Sequence, residues 1–582
     1  MKIALAQLNY HIGDFGNNTA HIITTIEKAK KLGADVAIFA ELSVCGYPPL
    51  DFLEFDDFIR QSMRSVETIA GACRGIAAIV GAPSVNHDPR GKPLHNTAFF
   101  LADGKIKSMV HKTLLPNYDV FDEYRYFESN RFPSSLIEYQ GVRFALTICE
   151  DLWNIADDPL YVKNPMDELI RLGPDLVVNI AASPFSYNQF EERREVLIRN
   201  AKAYHRPVLY VNQVGAQTEL IFDGGSMVVS ATGEILANLK IFEEDLQIFD
   251  FEISAHPVSG IQYPEYSPPP GTSPGGRVGG EERIPHPVSR IRYPASDLPL
   301  SPSVIQAIHS ALILGIRDYF HKMGFSKAIL GLSGGIDSAV TMALSAEALG
   351  PENVRAILLP SPFSSGHSIT DARSLAENLE APYDIIPIEA AFKTMQLTLE
   401  PQFRDRPFDL TEENIQARIR GLILMALSNK FGYILLNTSN KSEAAVGYGT
   451  LYGDMSGGLS VLGDVYKTQV YELARLINTK RTIIPENSIL KPPSAELRPG
   501  QKDSDSLPGY DILDQILYKY IELRTGPEEL IREGFGGPIV RRVLKLVNTS
   551  EYKRYQTPPI LRVSPKAFGM GRRMPIVAKY LS

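Results

Sequence analysis

The stretch that decides the fold of the C-terminal half is Ala328-Ile329-Leu330-Gly331-Leu332-Ser333-Gly334-Gly335-Ile336-Asp337-Ser338-Ala339-Val340. Its first residues form a short apolar run typical of a buried strand, and Ala339 to Leu349 has the periodicity of a helix. The Ser-Gly-Gly-Ile-Asp-Ser segment between them is therefore predicted to be a turn. Two adjacent glycines free the backbone N-H groups to face a ligand, and the helix N-terminus adds partial positive charge. These features predict a phosphate-binding loop.

The residues of this turn also indicate which kind of phosphate transfer the loop serves. The Gly-Lys-Ser/Thr ending of the loop that handles γ-phosphoryl transfer is missing. A loop that binds phosphates and offers Asp337 as a magnesium ligand suits enzymes that release pyrophosphate and transfer the adenylyl part of ATP. The segment Ser333 to Ser338 resembles the signature of the ATP-pyrophosphatase (N-type) synthetases. The alternative is a Gly-Gly turn that only closes a βα unit.

Strand and helix patterns alternate around this loop. Ser303 to Met323, Thr370 to Leu379 and Leu410 to Phe431 have helical patterns, and Val354 to Leu359 and Ile385 to Ile388 are strand-like. The βαβα order predicts a doubly wound parallel sheet that binds a nucleotide at the carboxyl ends of its strands. Such a sheet is Rossmann-like. The resemblance to the ATP-pyrophosphatase synthetases implies the variant of this fold that is called adenine nucleotide alpha hydrolase-like.

Composition places the chain among ordinary globular proteins. Its 582 residues, 44% apolar and 22% charged, are too many for one core and suggest two large domains. We predict domains at 1–253 and 303–582, joined by a Pro- and Gly-rich connector at 254–302 that cannot form a core. A ligand for an SH3-type domain is the alternative for this connector. We expect a cytoplasmic protein without a membrane or nucleic-acid partner, because no apolar run approaches a membrane span and the net charge is −8.

Three reactive residues follow strand-like runs of the N-terminal half, which has an α/β pattern. They are Glu41, Lys112 and Cys149. Strand ends direct side chains into a common cleft. A thiol needs a base and a nearby cation to act as a nucleophile near neutral pH, so Glu41 is the candidate base and Lys112 the stabilising cation. The alternatives are a buried packing cysteine and a solvated surface lysine.

Longer motifs around these residues favour the catalytic interpretation. Residues 39–49, 111–118 and 147–153 together resemble the nitrilase (carbon-nitrogen hydrolase) superfamily and contain its Glu, Lys and Cys in order. The resemblance implies a four-layer α-β-β-α sandwich and a thioester on Cys149. It also implies a second glutamate near the pocket, Glu123, for which a solvated loop carboxylate is the alternative. Cys45 and Cys73 are expected to be packing residues.

The segments 115–127 and 149–153 are similar to those of superfamily members that hydrolyse glutamine. Binding free glutamine requires an anion for its α-amino group and a cation or N-H donors for its carboxylate. The candidates are Tyr118, Glu150, Ser183 and Arg193, with neighbouring Arg194 as an alternative to Arg193. Ordinary charges on a helix face, or helix caps, are the alternative for these residues.

Several motifs in the C-terminal half are similar, in order, to the NAD synthetase family. They are the phosphate loop, 414–420, 437–443, 448–454, 492–497 with 503–508, and 567–576. With the amidase-like half in front, the whole chain resembles the glutamine-dependent members. The resemblance implies that ATP adenylylates deamido-NAD and that ammonia from glutamine then displaces AMP. It implies no prosthetic group.

The family's functional residues transfer to matching positions of this sequence. For ATP they are Ser333, Gly334, Gly335, Asp337, Ser338, Thr438, Lys467 and Ser494; for deamido-NAD they are Asn414, Arg418 and Asp454; for Mg²⁺ they are Asp337 and Glu443. A second carboxylate is plausible because Asp337 and phosphate oxygens leave octahedral positions open. Ordinary helix pairing is the alternative for Arg418, and a place in the Pro-Pro turn for Ser494. Lys553, Lys566 and Arg573 are either phosphate ligands or solvated charges.

The resemblance further implies a homo-oligomer that pairs through the C-terminal domain and a shielded passage for ammonia. One alternative is an amidotransferase acting on another adenylated acceptor. A thiolating enzyme of this kind would need more catalytic cysteines, and the C-terminal half has none. The other alternative is a nucleotide-sensing protein with an inactive amidase, against which the intact Glu41, Lys112 and Cys149 set argues.

Overall fold

A computed structural model describes residues 1–155, 159–252, 297–501, 503 and 507–581 of the chain. Residues 254–296 of the predicted connector, residue 253 before it, and residues 504–506 of the 503–508 motif lie outside the described residues. No helix in the described ranges combines the length and apolar character needed to cross a membrane.

The N-terminal region contains fourteen described strands and five α-helices. The strands are β1 (Lys2–Gln7), β2 (Val36–Ile38), β3 (Ala77–Val85), β4 (Leu94–Ala102), β5 (Lys105–His111), β6 (Ile137–Tyr139), β7 (Val142–Ile148), β8 (Leu176–Ala181), β9 (Val208–Asn212), β10 (Val214–Gln217), β11 (Leu220–Asp223), β12 (Met227–Val229), β13 (Ile235–Asn238) and β14 (Asp245–Asp250). The helices are α1 (Phe15–Lys31), α2 (Asp56–Ala72), α3 (Glu123–Tyr126), α4 (Pro165–Arg171) and α5 (Gln189–Tyr204).

These strands form two six-stranded sheets, ordered β14-β1-β2-β3-β4-β5 and β13-β12-β9-β8-β7-β6. Strand alternation gives each sheet an inner and an outer face. Ile3 and Leu5 pack with Phe144 between the sheets, whereas Ala4 packs on the outer side with Ile22 of α1. Helices α4 and α5 cover the second sheet. The predicted four-layer α-β-β-α sandwich is confirmed.

The C-terminal region contains strands β15 (Ala328–Gly331), β16 (Val354–Leu358), β17 (Tyr383–Ile385), β18 (Ile434–Asn437) and β19 (Leu459–Ser460). Its helices are α6 (Pro302–Met323), α7 (Ile336–Leu349), α8 (Gly366–Asn378), α9 (Glu389–Phe403), α10 (Leu410–Phe431), α11 (Lys441–Val446), α12 (Lys467–Ile477), α13 (Glu486–Leu490), α14 (Tyr510–Ile521), α15 (Pro527–Arg532), α16 (Gly537–Thr549) and α17 (Glu551–Arg554).

The five C-terminal strands form one parallel sheet in the order β17-β16-β15-β18-β19. Leu330 packs in a cluster with α6 and α7 on one face, and Ile329 packs with Ile415 of α10 on the other. The predicted doubly wound sheet is confirmed. The strand order reverses between β15 and β18, which is where such sheets bind nucleotides.

Three predicted boundaries in this region are wrong. Helix α8 begins at Gly366 rather than Thr370, because Ser365 is its N-cap. Helix α7 begins at Ile336 rather than Ala339, so Asp337 and Ser338 lie in its first turn. The strand predicted at Ile385 to Ile388 is Tyr383–Ile385. Its partner β16 ends at Leu358, whose carbonyl accepts a hydrogen bond from Ile386 N, and the next bond, from Ile388 N, goes to the carbonyl of Pro360 beyond β16.

The two regions share a hydrophobic core. Ala216 and Ile221 of the β10–β11 hairpin belong to the same buried cluster as Leu312 and Ile316 of α6. The Asp318 carboxylate of α6 accepts a hydrogen bond from Ala216 N at 2.7 Å. The domains are therefore docked directly, independently of the connector.

Candidate active sites

Glu41 and Lys112 form a buried ion pair in the N-terminal sandwich. The Lys112 Nζ lies 2.7 Å from Glu41 Oε1 and 2.8 Å from Glu123 Oε2. Glu41 is 1% exposed, Lys112 0% and Cys149 6%. Glu123, for which a solvated carboxylate was the alternative, is buried against Lys112 and also accepts a hydrogen bond from Tyr47 at 3.0 Å. The structure thus brings all four predicted residues into one electrostatic cluster.

The cluster holds a charged lysine beside a protonated thiol. Burial raises the pKa of the Cys149 thiol well above its ordinary value, Glu41 adds to this effect, and Lys112 opposes it. Burial alone would lower the pKa of Lys112, but the carboxylates of Glu123 and Glu41 outweigh it and raise that pKa well above its ordinary value. The thiol therefore needs a proton acceptor before it can attack, and Lys112 remains available as a cation.

The remaining contacts orient the carboxylate of Glu41. Asn96 Nδ2 donates to Glu41 Oε1 at 2.7 Å, and the backbone N-H of Ala182 donates to Oε2 at 3.0 Å. Asn96 was missed in the sequence analysis. Its immediate neighbours, His95 and Thr97, are also polar, so the sequence did not set it apart.

Asp151, also missed, joins the loops that carry Lys112 and Cys149. Its Oδ1 accepts the backbone N-H groups of Thr113 at 3.0 Å and Leu114 at 2.9 Å, and its Oδ2 accepts that of Ile148 at 3.0 Å. Burial raises the pKa of Asp151 to about 6, although these N-H groups oppose the shift. Cys149 itself has a φ of 42°, an uncommon backbone conformation for a residue other than glycine. Asp151 therefore fixes a strained turn at the nucleophile.

The predicted glutamine-binding residues lie around this cluster. Tyr118 OH donates to both carboxylate oxygens of Glu150 at 3.0 Å. Ser183 is buried, and its N-H donates to Asn212 at 2.9 Å. Arg193 is also buried and forms a two-point ion pair with Asp223 at 2.6 and 3.1 Å, whereas Arg194 lies at the surface beside Glu191. Arg193 thus has a protein partner that the sequence did not reveal, and its role toward glutamine stays a prediction.

The phosphate loop lies at the carboxyl end of β15. Gly334 has a φ of 79°, and a Cβ there would lie 2.2 Å from the carbonyl oxygen of Ser368, so this position requires glycine. Ser333 Oγ lies 3.1 Å from Ser338 Oγ and accepts a hydrogen bond from Gly335 N at 3.2 Å. The loop therefore presents serine hydroxyls and N-H groups at the start of α7, as predicted for an anion site.

Polar and charged residues from two other segments, α11 with its N-cap and the start of α12, converge on Asp337. Lys467 Nζ donates to Asp337 Oδ2 at 2.5 Å and to Glu443 Oε1 at 3.3 Å. Asn440, the N-cap of α11, donates to Asp337 Oδ1 at 2.8 Å. Burial raises the pKa of Glu443 to about 8; Lys467 opposes this, and the like charge of Asp337 adds to it. Thr438 is half-buried directly after β18, at the same edge of the sheet.

This cluster combines two carboxyl groups with one lysine. Within the described residues no group of three or more His, Cys, Asp or Glu side chains is arranged as a metal site. Magnesium at nucleotide sites, however, commonly takes one or two carboxylates and completes its shell with phosphate oxygens and water. The oxygen donors of Asp337 and Glu443 fit that requirement.

The three residues predicted for deamido-NAD meet at the 450–454 segment. Asn414 Oδ1 accepts a hydrogen bond from Thr450 Oγ1 at 2.8 Å, and Asp454 Oδ1 accepts one from Thr450 N at 2.6 Å. Arg418 is exposed on α10, and its Nε donates to the carbonyl of Leu451 at 3.2 Å. These side chains are therefore neighbours, although α10 is far from residues 450–454 in the sequence.

Other predicted phosphate ligands contact protein groups in the structure, and their role toward phosphate stays a prediction. Ser494 Oγ donates to the carbonyl of Gln501 at 2.6 Å and accepts from Glu496 N, as in the turn that was its alternative. Lys553 donates to the carbonyls of residues 447 and 449. Lys566 pairs with Asp119 at 3.0 Å and Arg573 approaches Asp122 at 3.6 Å, so both contact the N-terminal domain.

Comparisons with known proteins identify the families of both regions. Residues 2–255 match the carbon-nitrogen hydrolase family, and residues 308–557 match the NAD synthase family. The chain is 45% identical to a glutamine-dependent NAD(+) synthetase of a Synechocystis species, over 99% of both chains. It is 40% identical to that of Thermotoga maritima, over 100% of this chain and 99% of the other.

A solved structure is similar over the same length. The glutamine-dependent NAD+ synthetase from Acinetobacter baumannii, in complex with adenosine diphosphate, is 38% identical with a TM-score of 0.72. That similarity covers 99% of this chain and 98% of the other. Both candidate sites therefore lie within regions that full-length relatives share.

Proposed function

The chain belongs to the family of glutamine-dependent NAD(+) synthetases, and from this premise we propose how its residues divide the reaction. It is a ligase that forms a carbon–nitrogen bond, with a glutaminase domain and a synthetase domain. The observation that carries our assignment is the presence of two built clusters in one chain. Glu41, Lys112 and Cys149 form the first, and Asp337, Glu443 and Lys467 beside the phosphate loop form the second.

In the first cluster, Glu41 accepts the proton of the Cys149 thiol as the sulfur attacks the carboxamide carbon of glutamine. The ammonium group of Lys112 stabilises the oxyanion that forms. The C–N bond then breaks, ammonia leaves with the proton that Glu41 returns, and a thioester remains on Cys149. Water, deprotonated by Glu41, hydrolyses the thioester to glutamate. Glu123 keeps Lys112 charged and oriented, which its contacts at 2.8 and 2.9 Å support.

Around this cluster, Tyr118, Glu150, Ser183 and Arg193 bind the glutamine substrate in our proposal. Glu150 is the anion available for the α-amino group, and its carboxylate is already positioned by Tyr118. Arg193 is the buried cation available for the α-carboxylate of glutamine, and it also forms an ion pair with Asp223.

In the second cluster, the nicotinate carboxylate of deamido-NAD attacks the α-phosphorus of ATP and pyrophosphate leaves. Ser333, Gly334, Gly335 and Ser338 hold the leaving group, aided by Lys467, Thr438 and Ser494. Asn414, Arg418 and Asp454 bind the deamido dinucleotide. Ammonia then attacks the acyl-adenylate carbon, loses a proton and displaces AMP. The adenosine diphosphate bound to the Acinetobacter relative supports nucleotide binding by this chain.

We propose Asp337 and Glu443 as the residues that hold Mg²⁺. When bound, the ion neutralises charge on the phosphates of ATP. Support comes from the carboxyl oxygens of Asp337 and Glu443, which lie beside the phosphate loop on the same lysine. Lys467 already lies against both carboxylates, so it can turn toward the phosphates once they arrive.

We further propose a cytoplasmic homo-oligomer that pairs through the synthetase domain. Exposed apolar side chains on α9 and α10 support such pairing: Leu397 is 60% exposed, Leu410 66% and Leu422 70%. The cytoplasm is proposed because the nucleophilic thiol needs a reducing compartment. Direct docking of the domains supports a shielded passage for ammonia between the sites.

One assay tests the division of labour. Purified protein is given deamido-NAD, ATP and magnesium with either glutamine or an ammonium salt, and NAD, AMP and glutamate are measured. We expect one AMP per NAD with either nitrogen donor, and glutamate only with glutamine. Failure to form AMP with both donors would refute the proposal.

A further inference from the structure

Asp514, a buried residue of α14, has no role in the reaction proposed above. Its side chain is 0% exposed. Ser442 Oγ donates to Asp514 Oδ1 at 2.5 Å, and Thr468 donates to Oδ2 through its backbone N-H at 2.8 Å and through its hydroxyl at 2.9 Å. Burying a carboxylate costs free energy unless its oxygens accept hydrogen bonds, so these three bonds fix the two donor residues against Asp514.

The two donor residues belong to the helices that carry Glu443 and Lys467. Ser442 precedes Glu443 in the first turn of α11, and Thr468 follows Lys467 at the start of α12. The Ser442 hydroxyl oxygen also accepts the backbone N-H of Lys467 at 2.9 Å. Glu443 and Lys467 are 24 positions apart in the chain. Asp514 therefore joins two first turns that the sequence keeps separate.

The same contact supplies acceptors to the N-terminus of α12. The first N-H groups of a helix have no acceptor within the helix, and the helix dipole favours a negative charge near them. Ser442 Oγ accepts the N-H of Lys467, and Asp514 accepts that of Thr468. Burial raises the pKa of Asp514 to about 6, and the bonds from Ser442 and Thr468 oppose this shift. A carboxylate from a third helix thus caps α12.

The position of this cap affects the charged groups of the nucleotide site. Lys467 is the first residue of α12, and its Nζ lies 2.5 Å from Asp337 Oδ2 and 3.3 Å from Glu443 Oε1. The Lys467 side chain is 2% exposed, so the surrounding residues leave it little room to compensate for a displaced backbone. A shift of the first turn of α12 would therefore move the ammonium group relative to both carboxylates.

We propose that Asp514 is a positioning residue of the synthetase site. It holds the first turns of α11 and α12 in one arrangement and so places the Lys467 ammonium group for the phosphates of ATP. Asp514 itself contacts no reacting atom. This inference rests on the proposed function, because that function assigns Lys467 to ATP.

The test is Asp514→Asn in the full chain. The amide keeps the size of the side chain but has one accepting oxygen, so it cannot accept from both Ser442 and Thr468 as the carboxylate does. The readouts are kcat and KM for ATP in NAD formation from an ammonium salt, with deamido-NAD in excess. We expect kcat/KM for ATP to fall on the order of 10- to 100-fold. Glutamate release in the absence of nucleotides should stay nearly unchanged.

A double-mutant cycle separates positioning from general destabilisation. Lys467→Ala removes the group that Asp514 places, so adding D514N to K467A should lower kcat/KM by less than about threefold. An effect of D514N that is as large in K467A as in the unmodified protein would overturn the inference. Asp14→Asn is the matched control, because Asp14 caps α1 of the glutaminase domain by accepting the N-H of Asn17 at 3.1 Å. D14N should leave NAD formation from ammonium unchanged.

If D514N fails to fold in a thermal melt, Thr468→Val carries the same readouts, because it removes one hydroxyl and keeps the backbone N-H. Thr468→Ser keeps the hydroxyl and should retain activity, and a loss in T468S equal to that in T468V would overturn the inference. D514N or T468V with the kinetics of the unmodified protein overturns the positioning role alone, since NAD formation by the unmodified protein is measured in parallel. If the unmodified protein forms no NAD from ammonium, the proposed function and this inference fall together.

Discussion

Replacing Asp151 by Asn tests whether one carboxylate holds the two catalytic loops of the glutaminase site. The Asp151 side chain accepts three backbone N-H groups, two on Oδ1 and one on Oδ2. An amide has only one oxygen that accepts. In its better orientation Asn would keep the bonds from Thr113 and Leu114 and turn its NH₂ group toward the N-H of Ile148. The residue before Cys149 would then lose its partner.

The cost follows from that lost bond. A buried N-H left without an acceptor destabilises a protein by about 1–3 kcal/mol. The larger effect should be on catalysis, because a shift of about 1 Å between reacting groups lowers rates on the order of 100-fold. We therefore expect D151N to lower kcat of glutamine hydrolysis on the order of 100-fold. NAD formation from ammonium should change less than about twofold, since the synthetase site does not contact Asp151.

The assay measures glutamate release, NAD formation from each nitrogen donor, and thermal unfolding. Asp175→Asn is the matched control, because Asp175 accepts the backbone N-H of Arg143 at 2.8 Å at the opposite end of β7. D175N should retain full glutaminase activity. Glutaminase activity of D151N within threefold of the unmodified protein would refute our reasoning, and so would an equal loss with both nitrogen donors.

The raised pKa of Asp151 leads us to expect that stability and glutaminase activity depend on pH. Its pKa of about 6 in the fold lies above the ordinary value of 3.8, so the folded chain takes up this proton at higher pH than the unfolded chain. Protonation therefore stabilises the fold as the pH falls from about 6 to 3.8. It also removes an acceptor from the catalytic loops. Glutaminase activity should fall below about pH 6 without unfolding, and D151N should lack this step.

Two further variants separate the two sites, and a third tests a buried ion pair between the domains. Cys149→Ala should abolish NAD formation from glutamine and leave formation from ammonium nearly intact; equal loss with both donors would contradict the assigned nucleophile. Asp337→Ala should abolish NAD and AMP formation with either donor, while glutaminase activity without nucleotides remains; NAD formation near the unmodified rate would exclude Asp337 from the site. Asp119→Asn removes the buried partner of Arg562 and Lys566 and should lower the free energy of unfolding by about 3 kcal/mol in denaturant titrations, whereas Asp88→Asn at the exposed Arg90 pair should change it little.

Much of both sites could be predicted from local sequence. The phosphate loop follows an apolar strand and precedes a periodic helix, and Cys149 stands at the end of an apolar run. Such patterns depend on residues close together in the chain, so the periodicity and the short motifs carry them. Local patterns did not fix every boundary: α7 begins three residues before the predicted start, because Gly335 is its N-cap and residues 336–338 form its first turn.

Partners that are distant in the chain were decided only by the tertiary structure. Lys467 reaches Asp337 across 130 positions, and Tyr187 reaches Glu522 across 335. Asp151 lies two residues from Cys149, yet its role depends on the loop after Lys112. The reason is physical: a side chain's hydrogen-bonding capacity is fixed by its chemistry, but its partner is fixed by which strand ends the sheet brings to one edge. Sequence therefore determined the two chemistries, and domain docking determined which residues connect them.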